Sequence, residues 1–111
     1  MSNKFYAHKV EIDGYIFDSR AEGARYLELA LMEKAGVIQE LTVHPAYVLE
    51  PRATVNGHKL RAITYVADFS YLEDGQRVVE DCKGYATPVF RLKENLFRRR
   101  HPDLDFRVIL A

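Results

Sequence analysis

Along this chain, apolar and polar residues alternate in several short runs and recur at helical spacing in two longer ones. Val10 and Ile12, then Tyr15 and Phe17, flank Asp13-Gly14, which predicts a small hairpin over residues 8–17. Ser19 has the character of an N-cap, with Glu22 three positions later. Good helix formers then continue from 21 to 35, except Gly23, and Gly36 closes the helix. Ala24, Leu27 and Leu31 lie on one side of that helix and Tyr26, Leu29 and Ala30 on another, so it is expected to be covered on more than one side. Residues 37–50 read as extended and broken at Pro45. That proline restricts His44 to β or polyproline geometry and places the strand at an edge or a bulge. Residues 51–60 form a loop or hairpin tip turning at Asn56-Gly57. Strands follow over 61–71 and 77–83, joined by a turn at Asp74-Gly75. Thr87-Pro88 opens a second helix that runs to about Arg100, with Val89, Leu92, Leu96 and Phe97 facing inward. His101-Pro102-Asp103 ends it, and 106–110 is a last strand. The order is helix, three antiparallel strands, helix, strand. It predicts an α/β sandwich around a mixed sheet, the second helix giving the crossover that a parallel strand requires.

At 111 residues the chain reads as one domain, with 1–18 as an N-terminal arm and hairpin. Its start lacks an apolar core of signal-peptide length, and no run approaches a membrane span. A single Cys82 allows no intrachain disulfide, so a reducing, cytoplasmic location is expected. No Cys/His cluster has zinc spacing. His8, His44, His58 and His101 are scattered and read as surface or packing residues. Net charge is zero, with 16 basic and 16 acidic residues, which counts against a strong non-specific nucleic-acid binder. The distribution softens this, because residues 91–100 are strongly basic.

Candidate chemistry concentrates in Tyr65-Val66-Ala67-Asp68-Phe69 and in Val79-Glu80-Asp81-Cys82-Lys83-Gly84. A hairpin between them sets Asp68 beside the second strand. Asp81 and Lys83 share a face there, while Glu80 and Cys82 point to the other. Two carboxylates and an ammonium then converge on one patch. Crowded like charges are costly unless a cation lies between them, and a hard divalent ion such as Mg²⁺ suits this set. The competing reading is a solvated sheet face with a cross-strand ion pair. Glu22 has two readings as well. It fits a capping box with Ser19, or it belongs to the site.

These motifs, from about Lys9 to Val108, resemble the PD-(D/E)xK nuclease superfamily, and more closely a small phage and prophage group within it similar to Holliday-junction resolvases. The pieces that carry the resemblance are Ala67-Asp68-Phe69, Glu80-Asp81-Cys82-Lys83-Gly84 and the helix start Phe17-Asp18-Ser19-Arg20-Ala21-Glu22. Ala67 replaces the proline of the name. His44-Pro45 stands where related transposon-type nucleases often carry glutamine-proline, which leaves the role of His44 open. The resemblance implies a restriction-endonuclease-like fold and a DNA endonuclease using Mg²⁺, with Mn²⁺ substituting. Asp68, Asp81, the Cys82 carbonyl and Glu22 are the implied metal ligands, and Lys83 positions the attacking water. Arg20, Arg25, Arg61, Lys93, Arg98 and Arg99 are the expected phosphate contacts, and Tyr6, Tyr15 and Tyr85 are candidates for base stacking. The expected substrate is branched DNA in phage DNA processing within a bacterial host, cut by a homodimer whose interface includes the first helix. The alternatives are a non-catalytic DNA-binding or assembly protein with a nuclease fold, and a nicking endonuclease within a larger phage complex.

Overall fold

A computed structural model describes residues 8–110; the N-terminal residues 1–7, Tyr6 among them, and Ala111 lie outside the described part. In chain order the elements are β1 (Val10–Ile12), β2 (Tyr15–Phe17), α1 (Arg20–Lys34), β3 (Gln39–Val43), β4 (Ala46–Glu50) and β5 (Ala53–Val55). They continue with β6 (His58–Leu60), β7 (Ile63–Val66), β8 (Phe69–Glu73), β9 (Gln76–Lys83), α2 (Pro88–Arg100) and β10 (Asp105–Leu110). A four-stranded sheet in the order β10-β9-β8-β3 forms the centre. β3, β8 and β9 are antiparallel neighbours, and α2 returns the chain so that β10 lies parallel to β9. The expected mixed α/β arrangement is therefore present. No helix among the described residues is long and apolar enough to cross a membrane.

Local chemistry explains the ends of these elements. The Ser19 side chain accepts a hydrogen bond from the Glu22 amide at the start of α1. At its other end Gly36 has φ +81°, and the Gly36 and Val37 amides donate to Glu33 and Met32 carbonyls, a Schellman closure. Thr87 caps α2 by accepting from the Phe90 amide. Asp74 (φ +51°) and Gly75 (φ +77°) turn β8 into β9. Gly23, an odd choice inside a helix, packs beneath β1. A methyl group there would meet Val10 Cγ2 at 2.7 Å.

The sheet separates two cores. On one side α1 and the β1–β2 hairpin bring Phe17, Tyr26 and Leu29 against Phe69, Tyr71 and Val78. On the other, Phe90 and Phe97 of α2 pack on Leu49, Tyr65, Val79 and Phe106. Both helices depart from the sequence expectation in which face they bury. Leu27 and Leu31 of α1 are 53% and 69% exposed, so α1 is covered only on its Tyr26–Leu29 side. In α2, Val89 and Leu92 face solvent, while Phe90 and Phe97, seven residues apart, point inward. Large aromatic rings gain more from burial than branched aliphatics, and the tilted contact of Phe97 with Phe106, ring centroids 4.7 Å apart, sets the rotation of the helix.

A second departure shapes the site. The expected strand over 61–71 is broken at Ala67-Asp68, opposite the break at His44-Pro45. The His44 amide donates to the Asp68 carbonyl (2.9 Å) and the Ala67 amide to the Pro45 carbonyl (3.0 Å), so the two breaks lock together. His44 has φ +56°, in the left-handed region, not the extended geometry that the following proline favours. Beyond the breaks β4 and β7 pair only with each other and continue as the β5–β6 hairpin, turned at Asn56 and Gly57. The β5–β6 end of this arm is exposed throughout, while Leu49 of β4 and Tyr65 of β7 stay in the α2-side core. The radius of gyration, 15.7 Å, reflects the exposed end, since a compact chain of this length has a value of about 13 Å.

Candidate functional site

β9 presents alternate residues to the two cores. Glu80 and Cys82 face α1, whereas Asp81 and Lys83 face α2, as the alternation predicts. Asp68 sits in the break between β7 and β8, at the end of the sheet, where it reaches the α1 side. There Glu22, His44 and Asp68 come together, each offering a ligand atom, all within 4.8 Å of one another. Three separate segments supply them: the first turn of α1, the β3–β4 break and the β7–β8 break.

The electrostatics of this group are those of crowded acids. Glu22 is 9% exposed. Burial, then the charges of Asp68 and Asp18, push its carboxyl up to about 7, and a hydrogen bond to Asp68 acts in the same direction. Burial raises Asp68 too. It is opposed by the Cys82 amide, which donates to Asp68 Oδ2 at 2.6 Å, and by Lys83, His44 and Glu22. Below about pH 7 the Glu22 carboxyl thus carries a proton, which its hydrogen bond to Asp68 shares. The Ser19 cap uses only the backbone amide of Glu22, so capping and site membership coexist in one residue.

Asp81 is placed differently from the expectation of one shared patch. It is 2% exposed and lies outside the Glu22–His44–Asp68 group. Its carboxylate accepts a short hydrogen bond from the Tyr65 hydroxyl and pairs with Lys83 Nζ at 3.3 Å. Burial raises the pKa of Asp81, and Lys83 opposes the rise. The Lys83 ammonium also lies 4.6 Å from the centroid of the Phe90 ring, which fixes it from a second side. The strand break explains the divergence. It turns Asp68 toward α1, while pleat alternation leaves Asp81 toward α2. Because Lys83 still acts on the Asp68 charge, the two halves adjoin across the end of β9.

One family description, "Protein of unknown function (DUF1064)", matches residues 2–111. The chain belongs to DUF1064. Neither the curated proteins nor the solved structures contain a match to it.

For this DUF1064 protein the remaining site expectations divide. Arg25 is not a free cation. Its guanidinium grips both oxygens of the fully buried Glu80 at 2.8 and 2.6 Å, and the Tyr71 hydroxyl donates to the same carboxylate. Arg98 is engaged by Glu94 and lies over Phe106, Arg99 donates to Asn95, and Arg100 pairs with Glu50, so much of the basic end of α2 is neutralised within the molecule. Arg20 and Arg61 are exposed and Lys93 is half-buried; among the described residues none has an ion-pair partner. Tyr85 is exposed. Tyr15 leans on Phe17 and Tyr26, a packing role. Burial, with the surrounding acids, pushes the Cys82 thiol up to about 12, that of an unreactive thiol packed against the core.

Two site residues gave no decisive signal in the sequence. His44 looked like any scattered histidine, and only the locked strand break carries it to Glu22 and Asp68. Tyr65 was legible as an apolar strand residue but not as the donor to Asp81. The available clue was that Tyr65 lies three residues before Asp68 on a strand whose neighbours carry acids.

Proposed function

We propose that this DUF1064 protein is a divalent-metal-dependent DNA endonuclease with a restriction-endonuclease-like core, in which Glu22, His44 and Asp68 hold the cation. The observation that carries the reading is the convergence of two carboxylates and an imidazole from three chain segments, with buried Glu22 raised to about 7. Such a set fits a divalent ion, because the ion replaces the shared proton as the neutralising charge. An imidazole beside two carboxylates suits Mn²⁺ at least as well as Mg²⁺, since nitrogen ligands favour transition metals over Mg²⁺.

A cation in this set supplies Lewis-acid stabilisation of charge on the phosphate. The chain's own residues do the rest. Asp68, fixed by the Cys82 amide, sets the position of the donor set relative to β9. Lys83, held between Asp81 and Phe90, presents an ammonium to a phosphate oxygen or to the attacking water. Asp81, braced by Tyr65, is a positioning residue for Lys83. The Glu80–Arg25–Tyr71 network ties β9 to α1, and so holds the strand carrying Lys83 against the helix carrying Glu22. Branched DNA is the preferred substrate in this reading, because a bare domain of this size reads shape more readily than sequence. A C₂ dimer through the exposed Leu27 and Leu31 of α1 would deliver paired nicks.

The test is cleavage of four-way junction, flap, single-stranded and linear duplex DNA in Mn²⁺, in Mg²⁺ and in chelator. Metal-dependent cutting that disappears in Asp68→Asn is the expected result. Absence of cutting on every substrate in both metals removes the reading.

A further inference from the structure

We infer that the β5–β6 arm grips the phosphodiester backbone of duplex DNA beside the candidate site. The inference rests on the nuclease reading only for what lies at the arm's root. From Pro51 to Ala62 the chain carries Arg52, Lys59 and Arg61 and no acidic residue. Net charge is zero, so this segment is +3 against −3 for everything else. The hairpin register pairs Thr54 with Lys59 and Ala53 with Leu60. Pleat alternation then puts Arg52, Thr54, Lys59 and Arg61 on one face, and Ala53, Val55, His58 and Leu60 on the other. Continuing the register brings Arg52 opposite Arg61. The cationic residues line an open cleft of about 670 Å³.

Elsewhere most of the arginines are neutralised within the molecule, Arg20, Arg91 and Arg99 being without an acid partner among the described residues. Arg25, Arg77, Arg98, Arg100 and Arg107 all pair with acids. Among the described residues, Arg52, Lys59 and Arg61 have no such partner. Like charges facing each other across a hairpin destabilise it. A polyanion laid along that face reverses the sign of the interaction, and phosphates spaced along a strand match cations spaced along a β-ribbon.

The root of the arm makes this specific to the site. β4 begins two residues after His44, and β7 ends two residues before Asp68. The seven residues from Arg61 to Asp68 span at most about 23 Å of extended chain, or six to seven nucleotides of one strand at 3.4 Å each. The arm is thus placed to hold the backbone a few nucleotides from a phosphate lodged at Glu22, His44 and Asp68.

The experiment is anisotropy of a short fluorescent duplex titrated with the full-length protein, in Ca²⁺, across a salt series. It compares wild type with Arg52→Gln/Lys59→Gln/Arg61→Gln, and cleavage in Mn²⁺ is scored in parallel. The triple variant should flatten the log–log salt slope by about 2.7 and weaken binding on the order of a hundredfold at moderate salt. Arg52→Lys/Arg61→Lys should restore the slope, since a point charge suffices for phosphate. If the triple variant fails to fold, Lys59→Gln alone should flatten the slope by about 0.9. A wild-type slope in the variants, with cutting intact, overturns the arm and spares the nuclease. An arm-dependent slope without any cutting supports the arm and removes the nuclease. No DNA binding by wild type at any salt removes both.

Discussion

Changing Glu22 to glutamine removes one charge from a buried pair without disturbing the helix start, because the Ser19 cap engages the backbone amide. Glutamine nearly matches glutamate in shape, and its amide can donate to Asp68. In the folded protein the Glu22 carboxyl titrates at about 7 against an ordinary 4.5. Between those values the native state holds a proton that the unfolded chain releases. Without divalent cation, stability should therefore fall as pH rises from about 4.5 to 7, and the loss should be complete by about pH 8. At 1.36 kcal/mol per tenfold, the full rise is worth about 3 kcal/mol. Coupling to Asp68 spreads part of it, so about 1–3 kcal/mol is expected. Glu22→Gln carries no such titration. At about pH 8 in chelator it should melt higher than wild type by roughly 4–12 °C, at about 4 °C per kcal/mol, and the two should converge below about pH 5. Adding Mn²⁺ at pH 8 should then raise the wild-type melting temperature, because the ion takes the place of the proton, and should leave the variant nearly unmoved. Calorimetric melting of both proteins over this pH range, with and without Mn²⁺, decides the matter. Parallel pH profiles for the two proteins, or equal Mn²⁺ shifts, would refute the reasoning.

Four further outcomes follow from the same geometry. Asp68→Asn should lose both Mn²⁺ affinity and cleavage, whereas Asp81→Asn should lose cleavage but keep Mn²⁺ affinity within about threefold; isothermal titration separates this from the ligand role that the nuclease resemblance implies for Asp81. Arg25→Ala should cost about 3 kcal/mol by urea unfolding, because it strands the fully buried Glu80 carboxylate, and should leave the DNA salt slope unchanged. Tyr65→Phe removes the hydroxyl that donates to buried Asp81 and should cost about 1–3 kcal/mol, with turnover reduced more than DNA affinity. Gly23→Ala drives a methyl group into Val10 and should cost about 1 kcal/mol or more despite the better helix propensity of alanine; a gain in melting temperature would mean that the β1–β2 hairpin yields freely.

Local chemistry was legible in the sequence wherever one residue decides one backbone event. Ser19, Gly36, Asn56-Gly57, Asp74-Gly75 and Thr87-Pro88 each sit where their side chains or φ values are required, and each element begins or turns there. The mixed sheet followed from the order of those elements. Helix orientation was not legible, because Val89 and Leu92 offer the same periodic signal as Phe90 and Phe97. Only the waiting rings of Tyr65 and Phe106 choose between the two faces. The strand break was hidden for a related reason. Apolar alternation runs on through Ala67 without interruption, and what interrupts it is the pairing of two distant segments, His44-Pro45 with Ala67-Asp68, which no local pattern contains.

That hidden break decides the candidate site. An unbroken strand over 61–71 would keep Asp68 in pleat register, and His44 in an extended strand would not reach α1. The reciprocal bonds between the two breaks bring three effects together. They force His44 into the left-handed region, release Asp68 toward Glu22, and divert β4 and β7 out of the sheet as an arm. Backbone strain at a non-glycine residue persists only where surrounding structure over-determines it, and such positions gather at working sites. His44 therefore ties the metal question to the DNA question: the same two hydrogen bonds that assemble the donor set also aim the cationic hairpin. Any change that relaxes the His44 break should weaken metal binding and arm-dependent DNA binding together, and should also lower stability, because Ala67 belongs to the α2-side core and His44 packs on Phe17 of the other.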